Sequence, residues 1–168
     1  MLLSLKLVKT MSRKELTSKL SGLVEKHINP NNDTRIYLSK EVTFEYQSSH
    51  PIRVDYVRFK PINNSVSGIE KGDFYCYEIK SCLDDFNSKN GHNFIGDYNY
   101  YVMSKELYEI VKEKIPYDIG VYTLAGKQEC LECAKKAKRH DRKYPALQML
   151  LMMFRSANRE NIKNRNHS

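Results

Sequence analysis

The chain has 168 residues and a mass of 19.7 kDa, with 40% hydrophobic, 29% charged and 11% aromatic residues. That composition supports one packed domain and excludes a disordered chain. No stretch approaches the ~20 apolar residues of a membrane span, since Lys6 interrupts the apolar opening from Met1 to Val8 and Leu147 to Phe154 is short.

The formal net charge of +8 is unevenly placed: residues 1–126 hold 17 Lys/Arg against 16 Asp/Glu, and residues 127–168 hold 11 against 4. A basic tail of this kind attracts phosphate backbones through its field and by counterion release, so the expected partner is a polyanion and not a membrane. The pattern of an export signal is missing, which leads us to expect a cytoplasmic protein whose Cys76, Cys82, Cys130 and Cys133 stay reduced.

From Met11 to Ile28, Leu16, Leu20, Leu23, Val24 and Ile28 recur at helical spacing, with Ser12 as cap and Glu15 completing a capping box. Asn29-Pro30-Asn31-Asn32 ends that helix. Between Arg35 and Tyr46, the residues Ile36, Leu38, Val42, Phe44 and Tyr46 share one parity, which predicts a strand with one buried face. A second strand follows from Arg53 to Lys60, then a polar turn region from Pro61 to Gly72. Phe74 to Ser81 reads as a central strand and Tyr98 to Met103 as a fourth. Ser104 caps a helix carrying Leu107, Ile110, Val111 and Ile115, and Gly120 to Leu124 makes a short fifth strand.

Gly126 divides this core, residues 1–126, from a basic helical C-terminal extension, residues 127–168, expected to pack on it. Pro145 suits a first helical turn, and Leu147, Leu150, Leu151, Phe154 and Ala157 form the expected apolar stripe. Met149, Met152 and Met153 read as core filling, and the tail from Asn161 as loose.

The chemistry concentrates at Tyr77-Glu78-Ile79-Lys80. Alternation along a strand sends Glu78 and Lys80 out of the same face, about 7 Å apart. If the second and third strands form a hairpin, Asp55 comes to lie beside Glu78. Two carboxylates at a strand end suit a hard divalent ion, Mg²⁺ or Mn²⁺, which takes oxygen ligands and keeps several waters; the Ile79 carbonyl is a third candidate ligand. Water activated there, with Lys80 nearby, would attack phosphorus in line. An exposed cross-strand salt bridge is the bland alternative. Chance alone yields about two acid-x-Lys triplets in such a chain, and Asp141-Arg142-Lys143 is a second one, without an upstream strand aspartate.

The order helix, strand, strand with Asp55, strand with Glu78-Ile79-Lys80, helix, strand resembles the PD-(D/E)XK, or restriction-endonuclease-like, nuclease superfamily. Glu78-Ile79-Lys80-Ser81 with Asp85-Phe86, Asp97 and Tyr100-Tyr101-Val102 resembles its bacterial and phage DNA-repair members, over roughly residues 35–124. The resemblance implies an α/β fold with a mixed central sheet flanked by helices. It also implies Asp55 and Glu78 as metal ligands, Lys80 as the catalytic lysine, and Val54 in the place of a proline. The first-helix glutamate of many members is left open between Glu15 and Glu25.

Lys138, Arg139, Arg142, Arg155 and Arg159 are the expected phosphate contacts to DNA, alongside Lys135, Lys136 and Lys143. Cutting two strands takes two sites, which a homodimer would supply. Cys130, Cys133 and His140 make at most half of a zinc site, and His92 reads as a loop residue without a chemical task. The function expected is metal-dependent DNA hydrolysis; the alternatives are a catalytically silent nucleic-acid-binding module of the same fold and a protein that docks on an acidic partner through its tail.

Overall fold

Helix α1 (Arg13–Ile28) starts where the Ser12 side chain accepts from the Glu15 N–H and the Glu15 carboxylate reaches back to the Ser12 N–H, the capping box expected from the local sequence. A computed structural model describes residues 11–126 and 129–167; the apolar opening from Met1 to Val8 lies outside them. Among the described residues, no helix is long and apolar enough to cross a membrane.

Six strands form one mixed sheet in sequential order: β1 (Tyr37–Phe44), β2 (Ile52–Lys60), β3 (Asp73–Lys80), β4 (Tyr98–Met103), β5 (Gly120–Ala125) and β6 (Cys130–Lys135). The first three pair antiparallel, β3 to β4 and β4 to β5 are parallel, and β6 returns antiparallel on β5. The short helices α2 (Val66–Glu70), α3 (Leu83–Asn87) and α4 (Lys105–Val111) fill the connections, and α5 (Ala146–Asn166) closes the chain. This is the α/β fold with a mixed sheet between helices.

Helix α1 packs Leu20, Leu23, Val24 and Ile28 on Tyr77, Ile79 and Val102 of one sheet face. On the other face, α5 covers Val54, Val57 and Phe74, while Phe86 and Leu107 sit with Tyr101, Met103 and Val121. Strand alternation directs Glu78 and Lys80 to this second face, the one that carries Cys76.

Four expectations are corrected. The single parity of the first strand breaks at Glu41, whose φ is 50°: Ile36 and Leu38 pack on the α1 side, Val42 and Phe44 on the α5 side. Gly126 does not begin a helical extension, because residues 130–135 form β6 and extend the core sheet. Leu147, Leu151 and Phe154 are exposed, and the face of α5 that packs is Ala146, Met149, Met152, Met153 and Ser156. The helix also continues beyond Asn161 to Asn166. Helix α5 is oriented by polar contacts at the β1 break: the Ser39 hydroxyl donates to the Met153 carbonyl, Ser156 to the Lys40 carbonyl and Arg159 to the Glu41 carbonyl. Two of these acceptors, the Lys40 and Glu41 carbonyls, lie at the kink itself.

Candidate active site

Strands β2 and β3 pair as far as Tyr56 opposite Tyr77, where their ladder ends; in that register Asp55 and Glu78 would be the next partners. Instead of continuing, the strands fork. The Asp55 Oδ2 accepts the Ile79 N–H at 2.8 Å, taking the place of a backbone acceptor. In an extended strand the N–H and C=O of one residue leave on the same edge, so the Ile79 carbonyl is directed toward this fork as well.

Glu78 is only 6% exposed, and its Oε1 has no hydrogen-bond partner among the described residues. Burial, and then the like charge of Asp55, push the Glu78 carboxyl well above its ordinary range, with Lys80 and Arg53 opposing. Burial also raises Asp55, against the pull of the Ile79 N–H, Arg53 and Lys80. A buried carboxyl with an orphaned oxygen beside a second carboxyl is costly unless something positive completes it.

Lys80 is buried, and its Nζ donates to the carbonyls of Asn90 at 2.6 Å and Asp85 at 3.3 Å. The exposed cross-strand salt bridge therefore does not describe this pair. Gly91 closes over both groups with φ of 71°; a Cβ there would stand 2.8 Å from Lys80 Nζ and 3.1 Å from Glu78 Oε2. Only glycine allows so close an approach in that conformation.

Asp85 accepts from the Ser81 N–H and hydroxyl and lies 3.4 Å from the Arg13 guanidinium, whose Nε donates to Ser81. Helix α1 is thereby tied to the end of β3. His92 braces the loop from inside: one ring nitrogen meets the Tyr101 hydroxyl and the other faces the Phe86 and Ser88 carbonyls.

Asp55, Glu78, Ile79 and Lys80 all line one open cleft of about 1190 Å³, so the structure brings together the residues singled out from the sequence. Glu15 and Glu25 do not join them. Glu15 is spent on the helix cap, and Glu25 accepts from the Tyr56 hydroxyl and Lys40; the α1 residues that reach the cleft are Arg13, Thr17 and Ser21. Among the described residues, no group of three or more His, Cys, Asp or Glu side chains is placed to hold a metal ion, so an ion here would rest on two carboxylates, a carbonyl and water.

The expected DNA contacts are placed otherwise. Arg139 and Arg142 grip the buried carboxylate of Asp97, each at 3.1 Å, and Arg142 also donates to the Gly72 and Glu70 carbonyls. Lys138 lies over the Tyr117 ring, Arg155 over Tyr46, and Arg159 is bound to Glu41. None of these five lines the cleft. The cations that do line it, besides Arg13 and Lys80, are Lys40, Arg53, Lys89 and Lys163, none of which was singled out from the sequence. Arg53 carried a usable signal, standing two residues before Asp55 on the same strand.

No protein-family model and no curated protein sequence matches the chain. Among solved structures it is similar to the SPO1766 protein of unknown function from Silicibacter pomeroyi, with a TM-score of 0.56 and 15% identity over 95% of this chain and 94% of that one. The likeness concerns the fold.

Proposed function

We propose that the chain is a divalent-cation-dependent nuclease of the PD-(D/E)XK type that hydrolyses phosphodiester bonds of DNA. The observation that carries this reading is the buried Glu78 carboxyl, with an orphaned oxygen, set against Asp55 at the β2–β3 fork. The donor set fits the ion: the oxygens of Asp55 and Glu78 and the Ile79 carbonyl are hard ligands, and the open cleft leaves room for the waters that Mg²⁺ or Mn²⁺ keeps. Such an ion supplies Lewis-acid polarisation of a phosphoryl oxygen and a more acidic water.

The remaining work falls to the chain. Lys80, held by the Asp85 carbonyl of α3 and the Asn90 carbonyl of the loop after it, keeps an ammonium fixed beside the carboxyls, where negative charge would develop on phosphorus oxygens. Asp55 keeps the fork open by capping Ile79 in place of a ladder bond. Arg13, Ser81 and Asp85 hold α1 against the end of β3, so the cleft wall is fixed before substrate arrives.

Incubation of plasmid, linear duplex and single-stranded DNA with Mg²⁺, Mn²⁺ or chelator tests this. Cleavage is expected only with the cation, falling by at least about 10²-fold in Asp55→Ala, Glu78→Ala and Lys80→Ala. Cleavage surviving in chelator, or in all three variants, removes the site from the reaction; salt-dependent binding without cleavage under any condition leaves a silent binding module.

A further inference from the structure

The arginines of this protein are mostly committed. Arg13 is tied to Ser81 and Asp85, Arg139 and Arg142 to Asp97, and Arg159 to a backbone carbonyl. Arg53 differs: it is exposed, it lines the cleft with Asp55 and Glu78, and it makes no hydrogen bond or ion pair among the described residues. It stands two residues before Asp55 on β2, across the point where the strand's alternation breaks between Val54 on the α5 side and Tyr56 on the α1 side, and both residues line the same cleft. Its charge is felt by both carboxyls, yet its planar fork of donors is not spent on either.

We propose that Arg53 grips the phosphate of the nucleic-acid strand bound in this cleft, its guanidinium pairing with two non-bridging oxygens, a role that rests on the nuclease reading above. Lys80 is less suited to a two-point grip, because two of its three N–H donors go to the Asp85 and Asn90 carbonyls. A guanidinium matches a phosphate in two parallel hydrogen bonds, where an ammonium acts as a point charge. Lys89, in the loop between α3 and β4, also lines the cleft without a partner among the described residues and supplies a second charge along the strand.

The test is binding of a fluorescein-labelled oligonucleotide by anisotropy, with Ca²⁺ in place of Mg²⁺, across a salt series, for wild type, Arg53→Gln, Arg53→Lys and Lys105→Gln. Lys105 lies on α4, outside the cleft, and calibrates the loss of one arbitrary charge. Arg53→Gln is expected to bind about tenfold more weakly and to lower the slope of log affinity on log salt by about one. Arg53→Lys should recover the slope but remain at least about tenfold slower in Mg²⁺-dependent cleavage, having lost the fork. All variants should melt close to the wild type, because Arg53 makes no hydrogen bond or ion pair among the described residues. An Arg53→Gln variant with wild-type affinity and slope, or with a loss no greater than Lys105→Gln, overturns the proposal. Wild type that binds without cleaving overturns the hydrolytic reading, while a reduced slope in Arg53→Gln would still uphold the phosphate grip. Wild type that binds no oligonucleotide overturns both.

Discussion

Glu78→Gln is expected to make the protein more stable and, at the same time, to reduce the DNA cleavage proposed for it by at least about 10²-fold. The two effects have one cause. In the absence of a cation, the Glu78 carboxyl is buried against Asp55 with one oxygen unpaired. An amide of the same shape keeps the packing, removes the like charge and offers Asp55 a donor, which should contribute about 1–2 kcal/mol, roughly 2–8 °C in melting temperature for a chain of this size. The pH dependence has a definite sign. Because the folded protein holds the Glu78 proton more tightly than the unfolded chain does, wild-type stability falls as pH rises from the ordinary glutamate value of 4.5 through the raised folded one. The Gln variant does not titrate there, so its advantage over wild type should open across that window and then level off. Thermal melts in chelator from acid to neutral pH measure this. A variant less stable than wild type at neutral pH, or a gap that ignores pH, would place Glu78 in a well-compensated structural role.

Asp97→Ala should be the most destabilising of these changes, by about 3–5 kcal/mol. The Asp97 carboxylate is 2% exposed, accepts the Phe74 N–H at 2.9 Å and holds Arg139 and Arg142. Its removal strands the Arg142 guanidinium, only 20% exposed, against the Phe74 ring and the Gly72 carbonyl. Residues 136–145 are fastened there, with backbone bonds from His140 to Asp97 and from Lys143 to Ile95. Urea denaturation should show the loss in midpoint, and proteolysis should cut first within residues 136–145. A variant within about 1 kcal/mol of wild type would contradict this. The same geometry means that neutralising Arg139 or Arg142 weakens the fold, so any loss of DNA affinity in those variants must be read against stability.

What could be read in advance was what the chain settles locally. The Ser12–Glu15 box lies within one helical turn, and alternation places Glu78 and Lys80 together without help from the rest of the fold. Asp55 needed only a hairpin to reach them. The misreadings share a different origin. Strand β6 buries Leu131 alone of its residues, and its pairing with β5 rather than its own pattern makes it a strand. Helix α5 carries two apolar faces, and the hydroxyls of Ser39 and Ser156, from opposite partners, select the methionine face. Arg139 and Arg142 read as surface charge because Asp97, which takes them inside, lies 42 and 45 residues away in the chain.

Calorimetric titration of the wild type with Mn²⁺, in two buffers of different ionisation heat, goes to the heart of the matter. One ion should bind per chain and displace protons into the buffer, because the raised Glu78 carboxyl must ionise to take it; Asp55→Asn and Glu78→Gln should show neither heat nor proton release. Wild type that takes up no ion, or variants that take it up equally well, would contradict a cation site at the fork of β2 and β3.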